Sequence, residues 1–233
     1  MFAGRHSISL NLFLILPLLI VYEIGIRLTG LDLRNAAEMI LKDFYWLMGG
    51  EYARYFHWIL ALIIVACFVK NASRDRPFVT IFFTILLESL VLALILGPIL
   101  SFLVGGMLLQ YDLTSTKALS SSILLSVGAG VYEEIVFRFL LLGGLFAICK
   151  HLFQFPSVLA AAAALVVSSV LFSLYHHIGP FAQAITTPVF VFRLVAGLAL
   201  GLVFIFRGFG VAVYLHAFYD ILRDIENALR GDS

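Results

Sequence analysis

Between residues 131 and 138 the chain reads Val131-Tyr132-Glu133-Glu134-Ile135-Val136-Phe137-Arg138. Two adjacent carboxylates in an apolar stretch repel each other, and each calls for water, a cation or a hydrogen-bond donor. On a helix their directions differ by about 100°. Glu134 and Arg138 stand four residues apart with the acid nearer the N-terminus, the favoured order for an intrahelical ion pair. Arg138 therefore neutralises Glu134 locally, and Glu133 points elsewhere. A carboxylate withdrawn from water, with no cation holding it, is suited to take a proton near neutrality as a general base.

Two further segments carry partners for such a base. One reads Phe172-Ser173-Leu174-Tyr175-His176-His177, the other His216-Ala217-Phe218-Tyr219-Asp220. Phe172 and His176 share a helix face by their spacing, as do His216 and Asp220. The parts are thus a carboxylate pair, a histidine, and a histidine–carboxylate pair on three segments. Polar crosslinks between helices would account for one or two such residues but poorly for seven. Water activation, a proton relay, or a metal held by Glu133, His176 and His216 would each use them. A metal site of two histidines and one carboxylate leaves an open position for chemistry, although no His-Glu-x-x-His pattern occurs in the chain.

The remaining charges in apolar runs have simpler readings. Glu23 and Arg27 are four apart and pair at the interface. Arg193 snorkels, and Glu88 faces a cavity or bonds to another helix. His177 lies about 100° around its helix from His176 and is a satisfied interfacial histidine. Cys67 and Cys149 behave as small hydrophobes.

The elements that must position these groups follow from composition. Of 233 residues, 62% are hydrophobic and 12% charged, and the mean hydropathy is +1.07. Soluble domains run about 45–50% apolar and about 25% charged, so a soluble domain, a disordered chain and a disulfide scaffold are excluded. The formal net charge of +1 gives no case for nucleic acid. Apolar runs near the roughly 20 residues that a membrane helix needs predict an all-α, polytopic transmembrane bundle with seven to eight spans: about 10–28, 55–69, 78–109, 118–150, 157–177, 188–206 and 209–222. The first is a span rather than a cleaved leader, since no small-residue cleavage site follows it. The 78–109 run is long enough to tilt or to break at Gly97-Pro98, Gly143-Gly144 is a candidate break, and close helix approach is expected at Gly197-xxx-Gly201. The stretch 32–54 has apolar residues at helical spacing, as in a helix lying on the membrane surface. The chain ends Arg230-Gly231-Asp232-Ser233, which is not a prenylation motif. Residues 1–233 form a single membrane-embedded domain, with the chemistry-bearing core at 118–222. Lys70, Arg74 and Arg76 favour an inside position for their loop and hence for the N-terminus, while Arg34, Lys42 and Arg54 pull the other way.

Taken in order, Glu133-Glu134-xxx-Arg138, Phe172-xxx-His176 and His216-xxx-Asp220 resemble the signature of the CAAX protease and bacteriocin-processing (CPBP, or Abi) family of intramembrane proteases. That signature is Glu-Glu-xxx-Arg, Phe-xxx-His and His-xxx-Asn. The third motif departs from it, with Asp220 in the Asn position. The resemblance implies a glutamic-type peptidase with no required metal or other cofactor. Glu133 with His176 would activate a water, and His216 and Asp220 would face the scissile carbonyl. Glu134 and Arg138, with Phe172, would support the site. An ionised Asp220 cannot donate to an oxyanion; either it is protonated, or it orients His216 and favours its imidazolium, the reading preferred here.

The resemblance further implies a membrane-anchored peptide or protein as substrate: a lipidated or helical C-terminal tail, or a bacteriocin-type peptide. The bilayer is the other partner, nucleic acid is not one, and the compact length points to a prokaryotic plasma membrane. A proton-coupled transporter using Glu88, Glu133 and the histidines, or a noncatalytic immunity protein, are the competing functions.

Overall fold

The computed structural model describes residues 8–30, 34–50, 55–71, 78–108, 119–178 and 182–230, and among them there are helices and turns but no strand. The first apolar run forms α1 (Ile8–Leu14) and α2 (Leu16–Thr29), with Pro17 in the first turn of α2, where its missing N–H is harmless. After these come α3 (Ala36–Gly49), α4 (Phe56–Asn71) and α5 (Phe78–Leu108). The Glu-Glu segment ends α6 (Leu119–Glu134), which continues without a break through a π-helical stretch (Ile135–Leu142), α7 (Gly143–Ala147) and a second π-helical stretch (Ile148–Leu152). The chain closes with α8 (Ser157–Tyr175), α9 (Thr187–Arg207) and α10 (Phe209–Arg230). The left-handed backbone of Gly208, φ 102°, makes the turn between the last two.

Among the described residues five stretches are long and apolar enough to cross a bilayer: Leu10–Thr29, Val79–Val104, Leu119–Leu152, Ser157–Tyr175 and Thr187–Arg207. They fit an integral membrane protein. The seven to eight spans expected from the sequence exceed this number because of α4 and α10. With 16 residues, α4 reaches about 24 Å, short of the roughly 30 Å hydrocarbon core. In α10 the apolar run gives way to Asp220, Arg223, Asp224 and Glu226. Neither candidate break occurs. Helix α5 runs through Pro98, where Ala93, Leu100 and Val104 pack against Phe192, Ala196 and Leu200 of α9 and Leu215 of α10 on both sides of the proline. Gly143-Gly144 lies within the continuous 119–152 rod.

Glycines set how closely the site-bearing helices approach. A Cβ on Gly130 of α6 would lie 2.7 Å from the Cβ of Ala217 on α10, so these helices touch backbone to backbone. Gly197 of α9 lies against Ser169 and Phe172 of α8, and Gly201 against Leu165, the close approach expected of that pair. Helix α3 starts at Asn35, whose side chain accepts the Ala37 amide. It buries Ala37 and Glu38 and exposes Phe44, Trp46 and Leu47, the two-faced pattern of a helix at a membrane surface. The expected loop at 110–117 and most of that at 70–77 lie outside the described residues.

Candidate active site

Glu133 and Glu134 are the last two α-helical residues before the backbone widens into the π-helical stretch that carries Arg138. Such stretches concentrate at functional sites. Glu134 and Arg138 are almost completely buried, and Arg138 Nη1 lies 3.2 Å from Glu134 Oε1, the intrahelical pair read from their spacing. The sequence does not reveal that this carboxylate is shared: His216 Nδ1 also lies 2.8 Å from Glu134 Oε1. Arg138 is held on two more sides. Its Nη2 donates to the Gly197 carbonyl at 3.4 Å, and its guanidinium carbon sits 4.3 Å from the centre of the Phe172 ring. Phe172 in turn meets His176 edge-on at 4.7 Å and Phe137 at 5.2 Å. It is thereby the apolar wall on which the arginine and the first histidine rest.

Glu133 faces a different set of groups. Its Oε1 accepts a hydrogen bond from Asn35 Nδ2 at 3.1 Å. Its Oε2 has no hydrogen-bond partner among the described residues, although it is buried. That oxygen points to 3.7 Å from His176 Nε2 and 3.9 Å from His216 Nε2. These separations are too long for hydrogen bonds, but a single water oxygen can lie within about 2.8 Å of two atoms so placed.

Hydrogen-bond chemistry fixes what each ring presents. His176 Nδ1 lies 2.8 Å from the Phe172 carbonyl, which can only accept, so Nδ1 carries the proton and a neutral ring offers a lone pair at Nε2. His216 lies between carboxylates, Glu134 at Nδ1 and Asp220 Oδ2 3.4 Å from Nε2. Both contacts use an N–H donor, so the surroundings suit an imidazolium. The sequence reading made Asp220 the group that orients His216; in the structure Glu134 holds the rear nitrogen, and Asp220 sits at the front one. Asp220 is also the most open member, its side chain a quarter exposed.

The other charges resolve as follows. Glu88 bonds to another helix, both carboxylate oxygens accepting from Arg207 of α9, with Nη2 to Oε2 at 2.6 Å. Arg193 Nε reaches the Gln183 side chain at 3.4 Å. Glu23 pairs with Arg27 at 3.5 Å, and it is buried under the Tyr132 hydroxyl, which donates to it at 3.0 Å. His177 Nδ1 donates to the Gln183 carbonyl at 3.0 Å, while Nε2 is buried without a hydrogen-bond partner among the described residues. Among the described residues no group of three or more His, Cys, Asp or Glu is arranged to hold a metal ion.

Sequence reading missed Asn35. The run Asn35-Ala36-Ala37-Glu38 signals a helix start, an N-cap residue followed three positions later by an acid. It carries no hint that the capping side chain also reaches Glu133, 98 positions on.

No curated protein and no solved structure matches the chain. Residues 115–222 match the family model described as type II CAAX prenyl endopeptidase Rce1-like, which implies peptidase activity. That stretch contains Glu133, Glu134, Arg138, Phe172, His176, His216 and Asp220, and the model it matches belongs to the CPBP family that their motifs resemble.

Proposed function

We propose that the chain is an intramembrane endopeptidase of glutamic type that hydrolyses a peptide bond in a membrane-anchored substrate. The observation that carries this reading is the convergence of Glu133 Oε2, which lacks a hydrogen-bond partner among the described residues, on the Nε2 atoms of His176 at the end of α8 and His216 of α10. A water held between Glu133 and His176 would donate one proton to the carboxylate and the other to the imidazole lone pair, leaving its own lone pair for attack. Attack on the scissile carbonyl carbon transfers a water proton to Glu133 and puts negative charge on the carbonyl oxygen. The Nε2–H of His216 stabilises that oxyanion. Collapse breaks the C–N bond, and the proton taken by Glu133 passes to the departing amine, giving a new carboxyl terminus and a new amino terminus.

Asp220 would keep His216 protonated while sharing its front N–H until the substrate carbonyl takes it. Glu134 would hold the rear of the ring, with Arg138 and Phe172 fixing Glu134. The substrate class is a lipidated or helical C-terminal tail or a bacteriocin-type peptide, reached through the bilayer in a prokaryotic plasma membrane. In this reading α4 and α10 complete seven crossings, residues 1–233 act as a single domain, and 118–222 is its catalytic core. The 34-residue stretch from Leu119 to Leu152 spans about 51 Å, well over the bilayer core. One of its ends therefore projects into water, which lets Glu133 and the histidines meet at one depth.

The test is cleavage in proteoliposomes of a panel of lipidated and helical-tail peptides by wild type, Glu133→Gln, His176→Ala and His216→Ala, with and without a strong zinc chelator. Removing the base lowers turnover about 10²–10⁴-fold, and the chelator leaves the wild type unchanged. Loss of cleavage with chelator moves the chemistry to a metal held by these residues. Cleavage that survives Glu133→Gln overturns the assigned base.

A further inference from the structure

We propose that Asn35, at the start of the surface helix α3, is a positioning residue for Glu133: its amide holds one carboxylate oxygen so that the other faces the two histidines. This rests on the reading of Glu133 as the base. The amide orientation is fixed from within the structure. Asn35 Oδ1 accepts the Ala37 N–H at 2.8 Å, so Nδ2 is the end that meets Glu133 Oε1 at 3.1 Å. The residue cannot easily swing away. Its backbone N–H donates to the Tyr22 hydroxyl at 3.2 Å, and that hydroxyl donates to Glu38 Oε2 at 2.6 Å. The fully buried Glu38 also accepts from Arg34 Nη1 at 2.6 Å and pairs with Lys42 Nζ at 2.5 Å. A frame from α2 through α3 thus ends on the carboxylate of α6, and it lies wholly outside residues 115–222.

The chemical consequence is specific. An amide donor on one oxygen favours the ionised carboxylate, the form that accepts a proton from water. It also fixes the torsion that aims Oε2, since a carboxylate with both oxygens unbound would be free to rotate toward either histidine. The titratable and charged groups around Glu133 are Tyr175 and His176 at the end of α8, His216 and Asp220 from α10, Arg193 from α9, and Glu134 and Arg138 of its own rod. The donor bonded to it in the structure is Asn35.

Two substitutions separate positioning from capping, because Ser and Asp are about as good at a helix N-cap as Asn. Asn35→Ser keeps the cap and, with its shorter side chain, withdraws the donor from reach of Glu133. Asn35→Asp keeps the cap and puts a like charge beside Glu133. Full-length protein in proteoliposomes is titrated by infrared difference spectroscopy, the Glu133 carboxyl band being the one that Glu133→Gln removes. The expected result is unchanged thermal unfolding of Asn35→Ser at a pH where Glu133 is protonated, as a retained cap requires, and a Glu133 band that titrates about one to two pH units higher in that variant. The shift is larger in Asn35→Asp, and on a cleavable peptide kcat falls about tenfold or more with KM unchanged. Titration at the wild-type pH in both variants would overturn the proposal and leave Asn35 a cap. The infrared readout needs no substrate. A shifted band in a protein that still cleaves after Glu133→Gln would therefore refute Glu133 as the base while upholding its positioning by Asn35.

Discussion

The floor of the cluster, around Glu134, and its open edge, around Glu133, start from the same residue type at adjacent positions and are built in opposite ways. Glu134 Oε1 is held by Arg138 and His216, with no solvent exposure at the carboxylate, and its Oε2 is buried without a hydrogen-bond partner among the described residues. Glu133 has a neutral donor on one oxygen and, like Glu134, no hydrogen-bond partner on the other among the described residues, but that free oxygen faces His176 and His216. A buried carboxylate paired with an arginine and bonded to a histidine is a structural anchor, since removing it strands the arginine's charge. A carboxylate held by a neutral amide, with its other oxygen turned to two histidine nitrogens, keeps that oxygen for chemistry, at some cost in stability. The division follows from the helix: about 100° of rotation turns one glutamate to Arg138 and α10 and the other to α3 and the histidines.

Glu134→Gln is the strongest way to break this comparison. It leaves Arg138 buried with its charge uncompensated and removes the rear anchor of His216, so a loss of about 3–5 kcal/mol in unfolding free energy is expected. Glu133→Gln leaves no such stranded charge and keeps an oxygen for the Asn35 amide, so its stability stays at or above wild type while turnover collapses. Chemical denaturation in matched detergent measures both. Equal destabilisation by the two substitutions would show that the carboxylates are not divided between anchoring and chemistry.

Gly130→Ala sharpens the same comparison by moving one wall. The new methyl would lie 2.7 Å from the Ala217 Cβ and 2.8 Å from its backbone nitrogen, contacts that backbone cannot yield cheaply. Helix α10 must shift outward and carry His216 away from both glutamates. A loss of about 1–3 kcal/mol is expected, with reduced turnover. Gly144→Ala, in the same rod with nothing within 4 Å of the new methyl, serves as the control and is neutral or slightly stabilising. If Gly130→Ala retains full turnover, the distance between α6 and α10 does not set the geometry at Glu133.

What the sequence reveals of this site is whatever depends on residues a turn apart. The Glu134–Arg138 pair, the shared face of His216 and Asp220, and the Phe172–His176 contact all follow from helical spacing, and each is present in the structure. Contacts between helices are different. That Glu134 rather than Asp220 lies behind His216 depends on how α6 and α10 cross, which is set by the absent side chain of Gly130 and the small one of Ala217. Asn35 was hidden for the same reason, its local signal being fully explained by a helix cap. The candidate breaks do not occur because Pro98 and Gly143-Gly144 express only a local preference, which packing along a long rod overrides.

The smallest expected effect comes from the ion pair farthest in kind from Glu134. Glu88 and Arg207 join α5 to α9 through two hydrogen bonds, and their side chains are 22% and 31% exposed. Arg207 ends its helix, where a cation also meets the unpaired carbonyls of the last turn favourably. Glu88→Gln therefore leaves a guanidinium that can still reach polar surroundings, and a cost of about 1 kcal/mol or less is expected, with peptide cleavage unchanged. A proton relay through Glu88 predicts the opposite, loss of function with little loss of stability. Cleavage and proton-flux measurements on this one variant beside Glu134→Gln thus separate a charge that only joins two helices from one that holds the site, and unchanged cleavage with intact folding would leave Glu88 no part in the chemistry.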